Sequence, residues 1–184
     1  MYNPTNLNHP YMKKMSISLT ALLTIVAVLV SVSSWAQSPA ATATGKTSGG
    51  ANITIKYSAP SVKGRKVWGG LVPYDKVWRA GANEATVVET DKDITVEGKA
   101  VPKGKYSLYA IPGEKEWSII LNSQTGQWGI TRSGETTRDP AKDVAVVKVK
   151  PVKSSTTNEV LKYEVTDKGI SLLWENLEVP ISVK

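Results

Sequence analysis

Cysteine is absent from this 184-residue chain. Disulfides therefore cannot stabilise the fold, although many exported domains of this size depend on them. There is also no cysteine for a lipid anchor at an export cleavage site, and no thiolate nucleophile. We expect the fold to be held by its hydrophobic core alone.

Histidine is nearly absent, since His9 is the single one in the chain. It lies in an N-terminal segment that we expect to be removed, which leaves the mature protein without an imidazole. This excludes a Ser–His–acid triad and zinc, copper or iron sites built on histidine or cysteine. The pair Asp91 and Asp93 lacks the glycine and later glutamate of a calcium loop. We expect no metal and no cofactor.

Arginine is also scarce and the basic residues are scattered. The 23 Lys and Arg against 16 Asp and Glu leave a formal charge of +7, and only four of the basic residues are arginine. A nucleic-acid binder more often shows a basic run with arginine interleaved among aromatics. The charge predicts a solubilising surface and no nucleic-acid partner.

Residues 1–36 have the pattern of a secretory signal peptide. A lysine pair precedes an uncharged apolar run over residues 17–32, and the small residues Ser34 and Ala36 follow it. The run is shorter than the ~20 residues of a membrane-spanning helix. We expect cleavage before Gln37, export to the periplasm or the cell exterior, and no stable membrane span afterwards.

Residues 37–51, QSPAATATGKTSGGA, are small, polar and poor in hydrophobic side chains. Such a segment buries too little apolar surface to offset the entropy of ordering. The composition predicts a flexible spacer, with the folded domain at residues 52–184.

Within residues 52–184 apolar and polar side chains alternate with a period of two, which is typical of half-buried strands. Ile53 and Ile55 alternate with Thr54 and Lys56, and turn signals recur every 8–12 residues. No window shows a helical period. The pattern predicts an all-β fold, a single antiparallel β-sandwich of about nine or ten strands, with a jelly roll as one form it could take.

The stretch 64–86, GRKVWGGLVPYDKVWRAGANEAT, departs from this alternation. Its aromatic, arginine, asparagine and glutamate side chains can stack on and hydrogen-bond a polar ligand such as a sugar. The alternative is an ordered connection whose tryptophans pack in the core. The candidate ligand-binding residues are Arg65, Trp68, Tyr74, Trp78, Arg79, Asn83 and Glu84.

The small residues 80–82 within this stretch allow a tight bend. We expect the bend to bring Arg79 back towards Asn83 and Glu84, beside Trp78. An Arg79–Glu84 ion pair would be charge-assisted and well ordered.

The same stretch carries a resemblance to a known family. GRKVWGGLVPYDKVWRAGANEAT, then ITVEGKAVPKGKYSLYAIPGEKEWSIILN, then QWG resemble a family of exported bacterial proteins, domain of unknown function 2911, from about Ile53 to Val183. The resemblance implies export and a β-rich domain, and it implies no activity.

Three functions are consistent with the sequence. The first is a non-catalytic envelope domain that binds a glycan or a protein partner through the aromatic and polar stretch. The second is a carboxylate-dependent hydrolase or lyase with Glu84 as the candidate acid. The third is a purely structural envelope component. A fold alone does not choose among them.

Overall fold

The computed structural model describes residues 37–184, so the predicted signal peptide lies outside the described residues. Ten β-strands and one short 3-10 helix form this part of the chain. Within it, no helix has the length and hydrophobicity to cross a membrane. The strands are β1 (Ala40–Lys46), β2 (Asn52–Ser58), β3 (Thr86–Thr90), β4 (Ile94–Val96), β5 (Lys99–Val101), β6 (Gly104–Ile111), β7 (Trp117–Asn122), β8 (Asp143–Val149), β9 (Val152–Thr166) and β10 (Gly169–Ser182), with the 3-10 helix at Pro140–Lys142.

Six strands form one antiparallel sheet in the order β1-β2-β3-β6-β7-β8. Chain neighbours are sheet neighbours, except that the small β4–β5 hairpin stands between β3 and β6 in the chain. The long strands β9 and β10 pair with each other in a separate two-stranded sheet. The order is that of a meander rather than the crossed order of a jelly roll.

One hydrophobic core lies between the large sheet and the β9–β10 hairpin. Alternate residues of the sheet strands, such as Ile53, Ile55 and Leu121, are buried in the same cluster as Leu172 and Ile181 of β10. Their period of two brings every second side chain to the inner face. The predicted single antiparallel β-sandwich is confirmed, with the hairpin as its second layer.

The second strand of the hairpin, β10, is one long bulged strand. Its pairing with β9 shifts on both sides of Glu175, which adopts a left-handed φ of 52°. Bulges of this kind bend a strand without ending it, so the long hairpin can follow the twisted sheet.

The prediction of a flexible spacer at residues 37–51 is wrong. Residues 40–46 form β1 and pair in full register with β2. A side chain at Gly45 would have its Cβ only 2.4 Å from the carbonyl oxygen of Val165 on β9. The small residues of this segment therefore permit close packing of one backbone on another. From composition alone, the same small residues were interpreted as a sign of disorder.

Candidate functional site

The segment between β2 and β3 pairs with β6 at Trp78 and brings this side chain to the inner side of the large sheet. Trp78 pairs with Ala110 of β6 through two backbone hydrogen bonds, of 2.7 and 2.9 Å. Side-chain alternation then directs Val77 to the small cluster on the outer face with Tyr109 and Ile120. Trp78 instead packs against the main core.

Four tryptophans meet at this point. The ring of Trp68 lies 4.8 Å from that of Trp117 and 5.6 Å from that of Trp174, both edge to face. Trp78 stacks on Trp174 with ring centroids 6.0 Å apart and planes at 21°. Aromatic pairs in these geometries add about 0.5–1.5 kcal/mol each beyond their burial, so the cluster is a rigid platform.

The bend at residues 80–83 is held by hydrogen bonds from both layers. Ala80 adopts a left-handed φ of 54°, which costs a residue with a side chain about 1–3 kcal/mol. Its carbonyl oxygen accepts hydrogen bonds from the Tyr163 hydroxyl at 2.6 Å and the Thr86 hydroxyl at 3.0 Å. The surroundings thus impose a strained backbone beside Trp78, as is common at binding sites.

A cleft of about 340 Å³ opens beside this bend. That volume is within the range of small-molecule sites. Apolar side chains line most of it, together with three basic side chains and Ser38, and the lining contains no carboxylate. The apolar side chains include Leu71, Val72, Val77, Trp78, Ile130 and Trp174, and the basic ones are Arg65, Lys76 and Arg79.

Arg79 is the half-buried cation of this cleft. Its Nη1 donates to the carbonyl oxygen of Trp128 at 3.2 Å, and its guanidinium lies 5.6 Å from the centroid of the Trp128 ring. Gly129 makes this approach possible, since a Cβ there would lie 2.8 Å from the Cβ of Arg79. Burial lowers the pKa of Arg79, and the charge of Glu84 opposes part of that shift.

Arg65 is exposed, but its head group is fixed at the rim of the cleft. Its Nε donates to the carbonyl oxygen of Val62 at 3.0 Å, and its Nη2 to that of Ser61 at 2.6 Å. Two of its five N–H donors are used in this way, which leaves three for a ligand.

The other predicted site residues have different places. Trp68 is buried behind the cleft in the tryptophan cluster, and Tyr74 packs on Gly69. The side-chain amide of Asn83 donates to the Ser38 carbonyl oxygen and the Ser58 hydroxyl. These three residues shape the site, and none of them lines the cleft.

The expected Arg79–Glu84 ion pair does not form. The salt bridges within 4.0 Å among residues 37–184 do not include it. The bend itself is present, because the Thr86 N–H donates to the Arg79 carbonyl oxygen at 3.2 Å. Glu84 follows Asn83, which is left-handed with φ 55°, and lines a separate cavity of about 260 Å³ against β1 and β2. The two side chains therefore line different cavities.

Sequence reasoning missed several residues of the cleft. Lys76 lies within the stretch 64–86, and its positive charge was the feature of the sequence that could have marked it as a candidate ligand-binding residue. Trp174 follows the strand alternation of β10, so nothing local marks it. Ile130 and Gly134 come from the connection between β7 and β8, where only the glycine content suggested a loop.

The described structure is thus an antiparallel β-sandwich with a basic, aromatic-walled cleft at one end of its large sheet. Residues 38–183 match the family described as protein of unknown function, DUF2911, and the chain belongs to that family. No curated protein and no solved structure matches the chain.

Proposed function

We propose that the protein is an exported, non-catalytic binding domain of the bacterial envelope that takes a saccharide into the cleft lined by Trp78. The observation that carries the proposal is the half-buried ring of Trp78, backed by the buried Trp174, in a cleft that Arg65, Lys76 and Arg79 also line. Rigid aromatic walls with a few fixed polar donors suit a small polar ligand that has apolar ring faces.

Export is the second part of the proposal. The lysine pair, apolar run and small residues of segment 1–36 support it. Periplasm and cell exterior remain the two destinations that this signal serves.

A saccharide fits these features better than a segment of a partner protein does. The cleft is a local concavity of about 340 Å³, which is the scale of a small-molecule site, whereas protein partners are bound across broad surfaces. A protein partner is the competing outcome of the test below.

The carboxylate-dependent hydrolase or lyase has weaker support. A glycosidase of the common type needs two carboxylates that flank the scissile bond. Glu84 is the single carboxylate in the lining of its own cavity, and it lies outside the cleft. The Glu84→Gln variant would test this alternative should an activity be detected.

The decisive experiment is a binding screen of the protein against arrays of glycans and of short peptides, followed by calorimetry of each hit. Leu71→Trp adds bulk to an exposed side chain of the cleft lining and should abolish saccharide binding. Val146→Trp is the matched control, because Val146 is as exposed as Leu71, at 44% against 42%, and lies on β8 outside the cleft. Peptide hits alone, or saccharide binding that Leu71→Trp leaves unchanged, would overturn the proposal.

A further inference from the structure

The charges of the cleft specify more about the ligand than its size. Arg65, Lys76 and Arg79 all line it, and the lining contains no acidic side chain. The four salt bridges among residues 37–184 involve none of these three cations. The cleft therefore has a local charge of about +3, and none of its three cations forms an ion pair within residues 37–184.

Burial makes the charge of Arg79 costly. The guanidinium is half-buried, and burial of a cation is unfavourable unless it is fully paired. Burial lowers the pKa of Arg79, and Glu84, which forms no ion pair with it, opposes only part of that shift. The ring of Trp128 and one carbonyl oxygen provide partial compensation, and they leave four guanidinium N–H donors of Arg79 for other acceptors.

The tryptophans behind the cleft add no accessible donor to it. The indole N–H groups of Trp68, Trp117 and Trp174 are buried, and Trp174 as a whole is 1% exposed. The Nε1–H of Trp78 already donates to the Gly81 carbonyl oxygen at 3.1 Å. The side-chain donors that a ligand can reach in the cleft are therefore those of its three basic residues and of Ser38.

We propose that the ligand of this cleft is an acidic sugar residue, whose anionic group is held by Arg79 and Lys76 while its ring lies against the half-buried Trp78. The inference rests on the proposed saccharide-binding function and specifies the class of saccharide. Carboxylate and sulfate both accept two parallel hydrogen bonds from a guanidinium, so uronic acids and sulfated sugars share the required chemistry. A neutral sugar would leave the cations of the cleft unpaired.

Two pairs of probes test whether the anionic group contributes to binding beyond the sugar ring. They also test whether that group is a carboxylate or a sulfate. The first pair is the trisaccharide of galacturonic acid and its neutral methyl ester. The second pair is N-acetylglucosamine 6-sulfate and N-acetylglucosamine. For at least one pair we expect the anionic member to bind about tenfold to a hundredfold more tightly, because hydrogen bonds to charged groups contribute more than neutral ones. The preference should weaken as salt is raised, since the cleft is open to solvent.

Charge-removing variants locate the effect. Arg79→Gln should remove most of the preference for the anionic probe while it changes the affinity for the neutral probe little, as a double-mutant cycle would show. Lys76→Gln is the second variant, because Lys76 is exposed and its loss does not threaten folding. Lys99→Gln is the matched control, an exposed lysine on the β4–β5 hairpin outside the cleft. The thermal midpoint of each variant confirms that it is folded.

The outcomes separate this inference from the function on which it rests. Equal binding of the charged and neutral members of both pairs, abolished by Leu71→Trp, would retain the saccharide function and overturn the acidic-sugar inference. An anionic preference that Arg79→Gln and Lys76→Gln leave intact would also overturn it. The absence of binding by all four probes, together with peptide binding on the array, would overturn both.

Discussion

The hydroxyl of Tyr163 on β9 donates a 2.6 Å hydrogen bond to the carbonyl oxygen of Ala80, in the bend between β2 and β3. The contact joins the second layer of the sandwich to the segment that carries Trp78 and Arg79. Burial raises the pKa of Tyr163, so its hydroxyl keeps the donated proton well above neutral pH.

The first prediction concerns this bond. Tyr163→Phe should lower the free energy of unfolding by about 1 kcal/mol, because Thr86 still satisfies the Ala80 carbonyl oxygen and one hydrogen bond is lost. Saccharide affinity should fall as well, since the strained bend loses one of its two supports. Chemical denaturation and calorimetry measure the two effects. Tyr74→Phe is the control, and an equal loss in that variant would contradict the assignment.

The second prediction concerns Asp143, whose carboxylate pairs with Arg138 and accepts from the Asn122 amide at 2.8 Å. Burial acts to raise the pKa of Asp143, but the hydrogen bonds from Arg138 and Asn122 outweigh it and lower the pKa below its usual value. The stabilisation is therefore complete above the unfolded-state value of about pH 4. It is lost as the pH falls further, through the folded-state pKa.

Asp143→Asn removes the same stabilisation at neutral pH. We expect a loss of about 3 kcal/mol, because Arg138 keeps a charge that is 14% exposed and loses its partner. Urea denaturation at pH 7 and at acid pH gives both values. Glu164→Gln breaks the exposed Lys162–Glu164 pair and should cost no more than about 0.5 kcal/mol. If the two variants lose the same free energy of unfolding, the Arg138–Asp143 pair stabilises the protein no more than an exposed ion pair does.

The third prediction concerns β1. A chain that begins at residue 52 leaves β2 as an exposed sheet edge without its partner strand, and it should melt at a lower temperature and associate in solution. A chain that begins at residue 37 retains β1 and should remain a well-folded domain. Thermal unfolding and size-exclusion chromatography distinguish them. Equal thermal midpoints for the two chains would instead support the flexible spacer that composition suggested for residues 37–51.

The fourth prediction concerns processing. Mass spectrometry of the protein from an exporting cell should find Gln37 as the first residue. Cleavage there preserves Ser38, whose carbonyl oxygen is held by Asn83 at 3.0 Å. An intact start at residue 1 or residue 15 in the membrane fraction would instead indicate an anchored protein.

The fifth prediction concerns metals. No group of three or more histidine, cysteine or acidic side chains within residues 37–184 is placed to hold a metal ion. Chelators of zinc, copper and iron should therefore leave the thermal midpoint unchanged. A clear decrease in the thermal midpoint after chelation, reversed by adding back one of these metals, would contradict the prediction and indicate a metal site.

Part of the site could be predicted from local sequence. The stretch 64–86 was recognised because it interrupts the alternation of the strands, and it supplies Arg65, Trp78 and Arg79 to the cleft. The predicted Arg79–Glu84 ion pair was wrong because Ala80 and Asn83 adopt left-handed backbone conformations. Residues that are close in sequence then need not place their side chains side by side.

The strand pattern, the β-sandwich class and the absence of cysteine and histidine from residues 37–184 followed from the sequence by itself, because alternation and composition are local properties. Tertiary structure decided what depends on distant contacts. It joined Trp174 to Trp78 across about a hundred residues of chain and turned Arg79 towards Trp128. It also made a strand of residues 40–46, because paired backbone and close packing supplied the stability that these small side chains lack.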